Sequence, residues 1–532
     1  MLENDSFNSP VIRMALLGTL IKNGIKLREV LEQKYDNPLE LQKHELLKLI
    51  IQARQTEFGI YHNFDEILNQ FGNNESNHFS EIYKRQVPIH DYDLIFYNWW
   101  HKCRKGKKNV CWPGKVNYFA LSSGTSGDSS KYIPVTKDML KSMRRVAMRQ
   151  FLSLSQYNVP DNTFAKGTLM LGGSTSLKKV LSYYEGDLSG ITTSKVPIWL
   201  KHTYKPGKKI SKCTNWGDKL ESIVDKAPEW DIGFIVGVPA WIQMLLEKII
   251  DKYGLEHIHD IWPNLNVYVH GGVSFTPYES SFKRLLGKDI SYIETYLASE
   301  GFIAYQSRPN TKNMKLVLNN GIFFEFVPFN EENFNRMGQI KPSSKTLLID
   351  EVKEGEEYAI LITTCSGAWR YLIGDVIKFT SVEKSEIIIT GRTTHFLSLC
   401  GEHLSIDNMN KAIRMIEEEL GIGIKEFTVT GYPSGNYFTH KWFLGCNDDV
   451  SEDLIRIKLD EKLKELNDDY RVERDYALKY FKLEKLPVNI FYKWMKSKGK
   501  EGAQIKFPRV LNAQNYMDWE NFLQKEIKKV NI

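Results

Sequence analysis

The sequence has little cysteine, and none of it is arranged in pairs. Only six cysteines occur in 532 residues, and no two of them form a CxxC motif. They are Cys103, Cys111, Cys213, Cys365, Cys400 and Cys446. Because structural zinc sites use closely spaced ligand pairs, we expect no zinc site. With no export signal, scattered cysteines of this kind predict reduced thiols and a cytoplasmic location.

Long apolar runs are also missing. The first apolar stretch, residues 11–21, is interrupted by Arg13 and follows an acidic amino terminus, which is unlike a signal peptide. No other stretch is apolar over the length that a membrane span requires. We therefore expect no membrane partner.

A large excess of positive charge is absent as well. The net charge is +6 on a chain in which 26% of the residues are charged, and this gives little support for nucleic-acid binding. The densest basic run, residues 101–108, is interpreted as a solvated loop, which is the usual behaviour of such runs. We therefore expect no nucleic-acid partner.

The length and the overall composition are those of a globular protein with more than one domain. A chain of 532 residues exceeds a single ordinary core, and 42% of its residues are hydrophobic. Residues 1 to about 60 have a helical pattern. From about residue 115, short β-branched runs such as 167–172 and 267–270 alternate with amphipathic helical stretches, which predicts α/β layers.

The pattern changes twice more towards the carboxyl end. Strands dominate residues 314–390, and they predict a mainly antiparallel sheet or a distorted barrel. After Gly391 and Arg392 the pattern is that of a compact α+β unit of ordinary domain size. The sequence therefore predicts an amino-terminal domain over residues 1–391, with α/β layers and a β-rich part, and a carboxy-terminal domain over residues 392–532.

The strongest local signal for chemistry is a loop rich in serine, threonine and glycine, residues 122–131. Its glycines, hydroxyl groups, backbone amides and Lys131 are what a phosphate cradle needs. It is not a Walker A loop, because Ser130 and Thr125 stand where that motif has glycines. The dinucleotide pattern G-x-G-x-x-G is absent too. The alternative interpretation is a flexible Ser/Gly loop without a ligand.

Four further positions have both a chemical and an ordinary interpretation. Glu300, next to the hydroxyl of Ser299, could hold Mg²⁺ beside phosphates, or it could be a surface carboxylate. Asp375 could accept hydrogen bonds from a ribose diol, or it could be a turn residue. Arg392 lies where a hinge is expected, although a polar linker would look the same. Lys506 could reach an active site from a mobile domain, or it could belong to a charged tail.

The order of these motifs resembles the adenylate-forming superfamily, and in detail the GH3 family of acyl acid–amido synthetases, especially its bacterial members. The resemblance runs from about residue 38 to the end. The segments that carry it are Thr56-Glu57-Phe58-Gly59, Val87-Pro88-Ile89…Tyr92, Ser122-Ser123-Gly124-Thr125-Ser126…Ser130-Lys131-Tyr132-Ile133-Pro134-Val135, Gly186-Asp187-Leu188-Ser189 and Gly502…Gln504…Lys506…Pro508-Arg509.

The resemblance implies a large amino-terminal adenylate-forming domain, a small mobile carboxy-terminal domain, and roles for individual residues. Lys131, Glu300 and Lys506 would be catalytic, with Glu300 binding Mg²⁺; for Lys506 a structural role is weighed equally. At the hinge, His395 stands where the superfamily commonly has an acidic residue or lysine. The residues implied in ATP binding are Ser122, Ser123, Gly124, Thr125, Ser126, Lys131, Gly271, Gly272, Val273, Tyr296, Ser299, Glu300, Asp375 and Arg392.

The implied activity is an ATP-dependent ligase. It would convert a carboxylic acid (aryl, indolyl or aliphatic) into an acyl-adenylate and then join the acyl group to an amino acid. Two alternatives remain open: an acyl-CoA ligase that uses the same adenylate, and a non-catalytic nucleotide-binding protein on this scaffold. A P-loop kinase is disfavoured by the missing glycines. The sequence identifies neither the acid nor the acceptor, and it leaves the oligomeric state open.

Overall fold

A computed structural model describes the fold in two compact units. The described residues are 18–28, 37–73, 79–123, 130–194, 203–272, 275, 278–335, 338–393, 396–397, 399–402, 404–497, 507–511 and 513–530. The first unit takes in the chain up to Ser122 together with Tyr132–Thr393. The second takes in Thr394–Ile532 together with Ser123–Lys131.

The helices of the first unit lie mostly in its amino-terminal part and between the strands of its sheet. They are α1 (residues 18–28), α2 (Pro38–Ala53), α3 (Glu57–Tyr61), α4 (Phe64–Asn73), α5 (Phe79–Gln86), α6 (Tyr92–Ile95), α7 (His101–Arg104), α8 (Lys137–Ser153), α9 (Leu188–Thr193), α10 (Gly207–Ser211), α11 (Trp216–Lys226), α12 (Pro239–Tyr253) and α13 (Glu279–Leu285). A π-helix, Phe96–Trp100, joins α6 to α7. Short 3₁₀ turns occur at Leu154–Gln156, Asp161–Ala165, Ala227–Glu229 and Ile258–Asp260.

Local signals in the sequence explain where several helices begin and end. At the start of α2, the Asn37 side chain accepts a hydrogen bond from the Leu39 amide at 2.9 Å, and Pro38 occupies the first turn, where its missing N–H costs nothing. Thr136 caps α8 in the same way. The helix α12 starts at Pro239 and ends at Gly254, whose left-handed backbone stops the helix.

The strands up to residue 392 form two sheets, and Ser123, Ser130 and Lys131 in the first two of these strands are counted in the second unit. The strands are β1 (Tyr118–Ser123), β2 (Ser130–Val135), β3 (Gly167–Leu171), β4 (Lys178–Val180), β5 (Tyr183–Gly186), β6 (Tyr204–Lys205), β7 (Ile232–Gly237), β8 (Val267–Gly271), β9 (Ser291–Ala298), β10 (Gly301–Tyr305), β11 (Met314–Leu316), β12 (Ile322–Pro328), β13 (Glu357–Thr364), β14 (Tyr371–Ser381) and β15 (Glu386–Arg392). The smaller sheet has the order β2-β1-β5-β4.

The larger sheet has eleven strands and changes character at β9. Its order is β12-β13-β14-β15-β11-β10-β9-β8-β7-β3-β6. From β6 to β9 every pairing is parallel, and from β9 to β12 every pairing is antiparallel. The α/β layers and the antiparallel strands predicted from the sequence are therefore both present, as two halves of one sheet.

The second unit is a three-stranded sheet with helices, which is the α+β pattern predicted after residue 391. Its elements are β16 (Phe396–Leu397), β17 (Leu404–Ser405), α14 (Ile406–Leu420), β18 (Ile424–Ser434), β19 (Tyr437–Cys446), α15 (Glu452–Leu466), α16 (Asp468–Tyr476), β20 (Tyr480–Leu486), α17 (Val488–Ser497) and α18 (Ala513–Val530). The sheet order is β18-β19-β20, and β16 pairs with β17. Buried aromatic residues, including Trp442 and Trp519, fill its core.

The largest core of the first unit packs its amino-terminal helices against the antiparallel half of the sheet. Phe58 stacks on Trp369 with ring centroids 5.4 Å apart, and both side chains are buried. Trp100 is buried beside them and donates from its indole N–H to the carbonyl oxygen of Gly367 at 3.1 Å. None of the helices in the described part of the chain has both the length and the apolar character that crossing a bilayer would need.

Candidate active site

A glycine ends or directly follows each of three parallel strands at the carboxyl edge of the larger sheet. Gly172 follows β3, Gly237 ends β7, and Gly271 ends β8. A Cβ atom at Gly271 would lie 2.3 Å from the carbonyl oxygen of Thr295 on β9, so only glycine fits there. Gly272 has a φ of 85°, which also favours glycine. Ligands of open α/β sheets bind outside the carboxyl ends of their parallel strands, and this edge is where the candidate site lies.

Tyr296 and Asp375 meet beside this edge. The Tyr296 hydroxyl donates a short hydrogen bond to Oδ2 of Asp375. Nε of Arg392 lies 3.1 Å from Oδ1 of the same carboxylate. Asp375 and Arg392 are direct partners across β14 and β15. The Asp375 carboxylate is thus fixed from two sides, and each oxygen keeps a lone pair for a further donor.

The backbone before Asp375 is bent at a glycine. Gly374 has a φ of 90°, and its carbonyl oxygen accepts a hydrogen bond from the Thr393 amide at 2.8 Å. Arg392 donates from Nη2 to the carbonyl oxygen of Ile373 at 3.1 Å. These contacts hold the start of β14 and the end of β15 together, so the orientation of the Asp375 and Arg392 side chains is set by backbone pairing.

Glu300 and Tyr371 form the second part of the cluster. Glu300 follows β9 in the turn to β10 and is only 7% exposed. The buried Tyr371 phenol lies beside Glu300, and burial together with this carboxylate raises the pKa of Tyr371 well above its ordinary value. Burial and the Asp375 carboxylate do the same to the pKa of Tyr296. Both phenols therefore remain protonated donors at neutral pH.

The charge on Arg392 is also secured by its neighbours. Burial disfavours a charged guanidinium, but the charges of Asp375 and Glu300 outweigh it, so the pKa of Arg392 is raised. The cluster therefore joins two carboxylates, one cation and two phenol donors. An arrangement of this kind can bind hydroxyl groups through Asp375, a cation through Glu300 and an anion through Arg392.

His270 lies at the end of β8, directly before Gly271. It is buried and stacks on Phe275 with ring centroids 4.6 Å apart. Burial lowers the pKa of His270 to about 4, so the imidazole is neutral at neutral pH. Its carbonyl oxygen accepts a hydrogen bond from the Thr295 hydroxyl at 2.9 Å. These contacts fix the backbone that leads into Gly271 and Gly272.

The structure brings together four of the predicted site residues, namely Tyr296, Glu300, Asp375 and Arg392. Ser299 lies in the turn with Glu300, and Gly271 and Gly272 lie at the end of β8. Ser122 and the backbone of Ser123 end β1, and Lys131 lies on β2, in the smaller sheet. The predictions for Gly124, Thr125, Ser126, Val273, His395 and Lys506 concern positions outside the described residues.

Tyr371 was missed as a site residue, although it lies in the same short motif as Asp375, residues 369–376. The spacing between Tyr371 and Asp375 places both on one strand, but no sequence pattern shows that the Tyr371 hydroxyl reaches Glu300, which is far away in the chain. The neighbouring Arg370, from the same motif, is buried and makes an ion pair with Glu325 at 2.9 Å. Its contacts give it a structural role.

Lys219 is a second residue that the sequence did not indicate, and it lies in no motif. This lysine is on α11 and only 2% exposed, and its ammonium donates to the carbonyl oxygens of Gly172 at 2.5 Å and Gly173 at 3.1 Å. Burial lowers the pKa of Lys219, and the Asp187 charge partly opposes this. Ser189 accepts a hydrogen bond from the Gly173 amide at 2.9 Å. Together these contacts hold the loop that follows β3.

The basic run at residues 101–108 was interpreted as solvated, and for Arg104 this interpretation is wrong. Its guanidinium carbon lies 3.5 Å from the centroid of the Tyr132 ring. Its Nε donates to the Tyr183 hydroxyl at 3.2 Å. Residues 101–104 form α7. A charge run cannot reveal such a contact, because the aromatic partner comes from a distant part of the chain.

Three domain models of one family match successive parts of the chain, in the same order as in that family. Residues 27–180 match the GH3 family N-terminal domain, residues 315–390 the GH3 family central domain, and residues 407–515 the GH3 family C-terminal domain. Together these matches span more than half of the chain.

Individual known proteins are similar over nearly the whole chain. Indole-3-acetic acid-amido synthetase GH3.2 of Arabidopsis thaliana is 21% identical over 547 residues, covering 88% of this chain and 96% of that protein. The solved structure of GH3.15 acyl acid amido synthetase has a TM-score of 0.55 at 16% identity, covering 93% and 94% of the two chains. A 2-hydroxyisobutyryl-CoA ligase in complex with 2-HIB-AMP and CoA has a TM-score of 0.56 at 11% identity, covering 91% and 92%. These structural similarities confirm the predicted fold class.

Proposed function

The chain belongs to the GH3 family, and from this we propose that it is an ATP-dependent ligase that adenylates a carboxylic acid and transfers the acyl group to the amine of an amino acid. The observation that carries the proposal is the cluster in which Tyr296 and Arg392 fix the Asp375 carboxylate, with Glu300 beside it. A carboxylate fixed in this way suits the two hydroxyls of a ribose. The neighbouring carboxylate and guanidinium suit a nucleotide phosphate and its metal ion.

In the proposed first half-reaction, a carboxylate oxygen of the acid attacks the α-phosphorus of ATP. The new O–P bond forms as the bond to pyrophosphate breaks, and pyrophosphate leaves with the electron pair. Asp375 and Tyr296 would hold the nucleoside, and Arg392 would offset charge on the phosphates. No protein nucleophile is needed. Positioning of this kind can lower a barrier by roughly 7–11 kcal/mol.

In the proposed second half-reaction, the nitrogen lone pair of an amino acid attacks the carbonyl carbon of the acyl-adenylate. The C–N bond forms, the C–O bond to AMP breaks, and the ammonium that results loses its proton to water. A free carboxylate has no good leaving group, whereas the acyl-adenylate can release AMP. Adenylation therefore allows the amide bond to form.

The donor set around Glu300 fits Mg²⁺ bound together with a nucleotide. In the described part of the chain there is no group of three or more His, Cys, Asp or Glu side chains that could hold a metal. Mg²⁺ in nucleotide sites commonly uses one or two carboxylates, with phosphates and water as the other ligands. Glu300, oriented by Tyr371, would supply the carboxylate. Bound there, Mg²⁺ would neutralise charge that builds on the phosphates.

The remaining site predictions complete the proposal. Residues 122–131 would cradle the phosphates, with Lys131 as the cation, and Gly271, Gly272 and Val273 would lie against adenine. Residues 1–391 would form the domain that binds ATP and the acid. Residues 392–532 would form a mobile domain that carries Lys506 and turns about a hinge near residue 391 between the half-reactions. We also propose a cytoplasmic location, because all six cysteines are free thiols.

Acid-dependent exchange of pyrophosphate into ATP tests the proposal. The purified chain would be incubated with Mg²⁺, ATP, labelled pyrophosphate and single acids from aryl, indolyl and aliphatic classes. We expect exchange with at least one acid, and amide product when amino acids are added. Product that forms only with CoA would identify an acyl-CoA ligase. Binding of ATP without exchange across the whole panel would identify a nucleotide-binding protein.

A further inference from the structure

Residues 87–92, which we call the bridging segment, carry one of the motifs for which the proposed reaction has no role. The segment pairs with the start of β14. The His90 amide donates to the carbonyl oxygen of Arg370 at 2.9 Å, and the Leu372 amide donates to the carbonyl oxygen of His90 at 2.8 Å. These two bonds enclose Tyr371, the residue whose phenol lies beside Glu300.

The pairing with β14 is anchored by buried groups. Arg370 donates to the carbonyl oxygen of Val87 at 2.8 Å, while its other nitrogens form the ion pair with Glu325. Nδ1 of the buried His90 lies 2.8 Å from the carbonyl oxygen of Trp369. Burial lowers the pKa of His90 to about 4, so this side chain stays neutral at neutral pH. One end of the bridging segment is therefore rigidly attached.

The other end of the bridging segment holds the strand that follows the predicted phosphate loop. The Tyr132 amide donates to the hydroxyl of Tyr92 at 2.9 Å. The Arg104 guanidinium covers the Tyr132 ring and is itself held by the Tyr183 hydroxyl. The backbone and the ring of Tyr132 are thus each fixed by a separate side chain, and Tyr132 directly follows Lys131 in the chain.

We propose that Tyr92 and Arg104 are positioning residues that act through Lys131. By fixing Tyr132 they set the backbone from which the Lys131 side chain extends, and the bridging segment ties that backbone to the strand whose Tyr371 orients Glu300. This inference rests on the proposed function, in which Lys131 and Glu300 serve the phosphates and the metal. It adds that the placement of Lys131 and of Glu300 is coupled through Tyr92, Arg104 and the bridging segment.

Tyr92→Phe tests the hydroxyl, and Tyr97→Phe is the matched control. Tyr97 lies five residues further on in the same helical stretch and is 65% exposed. Tyr92→Phe is expected to raise the KM for MgATP about fivefold or more, the loss that follows when a hydrogen bond orienting a charged group is removed. The KM for the acid and the thermal midpoint should stay near the wild-type values. Tyr97→Phe should change none of these quantities.

Arg104→Met tests the stacked cation, and Lys105→Met, at an exposed lysine next to it, is the control. The decisive measurement combines both positions with Lys131→Met. If Tyr92 and Arg104 act through Lys131, their substitutions should change the KM for MgATP little further in the Lys131→Met background. The proposal would be overturned, in favour of a general structural role, if the substitutions raised the KM for MgATP by the same factor in the Lys131→Met background as in the wild type. It would also be overturned if the KM for MgATP and the KM for the acid rose equally.

Equilibrium binding of MgATP without acid separates this inference from the proposed reaction. If the wild-type chain binds MgATP but shows no exchange with any acid, the proposed ligase function fails, and the same double-substitution comparison is made on the Kd. The positioning roles are then supported if the Tyr92 and Arg104 substitutions no longer change the Kd for MgATP in the Lys131→Met background. They are overturned if the changes in Kd persist there. If the wild-type chain does not bind MgATP at all, both proposals are overturned.

Discussion

The hydroxyl of Tyr296 donates to the carboxylate of Asp375, although the strands that carry them, β9 and β14, are separated by three other strands in the sheet. Neighbouring strands lie about 4.8 Å apart, so a flat sheet would keep these side chains well out of reach of each other. The contact therefore requires the antiparallel half to curl back towards β9. This curvature brings a residue of the parallel half into contact with residues of the antiparallel half.

Asp375→Asn should weaken nucleotide binding by about 1–3 kcal/mol, because the amide keeps the shape but loses the charge and presents a donor to the Tyr296 hydroxyl. Calorimetric titration with AMP and with MgATP measures this. Asp350→Asn, at an exposed aspartate, is the control for the loss of one negative charge. Unchanged nucleotide affinity in Asp375→Asn would remove the proposed ribose contact.

Tyr371→Phe should raise the Mg²⁺ concentration needed for half-maximal exchange, because Glu300 loses the donor that orients it. Losing such a supporting contact typically costs about 10–100-fold in metal affinity. Exchange rates measured over a Mg²⁺ titration at saturating ATP and acid provide the test. Glu300→Gln should have at least as large an effect. A Mg²⁺ dependence that stays at the wild-type value in both variants would show that Glu300 does not serve the metal.

Arg370→Met should destabilise the first unit by about 3–5 kcal/mol, since it leaves the Glu325 carboxylate buried without its partner. Thermal and denaturant unfolding report the loss. Combining it with Glu325→Leu should restore part of the stability, because no charge is then left unpaired. Full restoration is not expected, since Arg370 also donates to the carbonyl oxygens of Lys84 and Val87. Equal stability of the two variants would contradict this account.

The buried Glu402 carboxylate in the second unit predicts acid sensitivity. Burial would raise the pKa of Glu402, but the contact with His440 at 2.9 Å and the backbone amides of residues 399–401 lower it to about 2. Because the folded pKa is below the ordinary value of about 4.5, the stabilisation is present above pH ~4.5 and is lost as the pH falls towards 2. It is on the order of 3 kcal/mol.

Glu402→Gln measures this contribution directly. The variant should be less stable than the wild type at neutral pH, and the difference should shrink between pH ~4.5 and ~2. Unfolding followed at several pH values shows whether it does. Glu418→Gln, at an exposed glutamate on α14, should give no such pH-dependent difference. A constant difference across the acid range would mean that Glu402 is not ionised through this pair.

The sequence predicts those parts of the fold that depend on local pattern. The strands predicted at 167–172 and 267–270 are confirmed within one residue, because a short run of apolar and β-branched residues indicates a strand from neighbouring positions alone. The joining of β11 to β15 into one sheet depends on pairing between segments about seventy residues apart in the chain. A linear pattern does not encode this pairing, and the alternative of a distorted barrel arose for that reason.

In the candidate site, too, features that depend on local sequence could be predicted and features that depend on long-range packing could not. Tyr296, Glu300, Asp375 and Arg392 each lie in a recognisable motif, so a resemblance could identify them one by one. Lys219 and Arg104 lie in no motif that indicates a buried or stacked role. Their contacts, with Gly172 and Tyr132 respectively, arise from packing between elements far apart in the chain. From its charge alone Arg104 was predicted to be exposed to solvent, and its stacking partner Tyr132 becomes apparent only from the fold.

The switch of the large sheet from parallel to antiparallel pairing at β9 has a consequence for the order of folding. The strands β12 to β15 are neighbours in both sequence and sheet, so they can pair as soon as they are made. In the parallel half, β3 pairs with β7 only across β4, β5, β6 and the helices between them, and such non-local pairing is slow. The Asp375 and Arg392 side of the cluster therefore has the shorter route to its native geometry, and the strand that carries Tyr296 joins it through its hairpin with β10 and the pairing of β11 with β15.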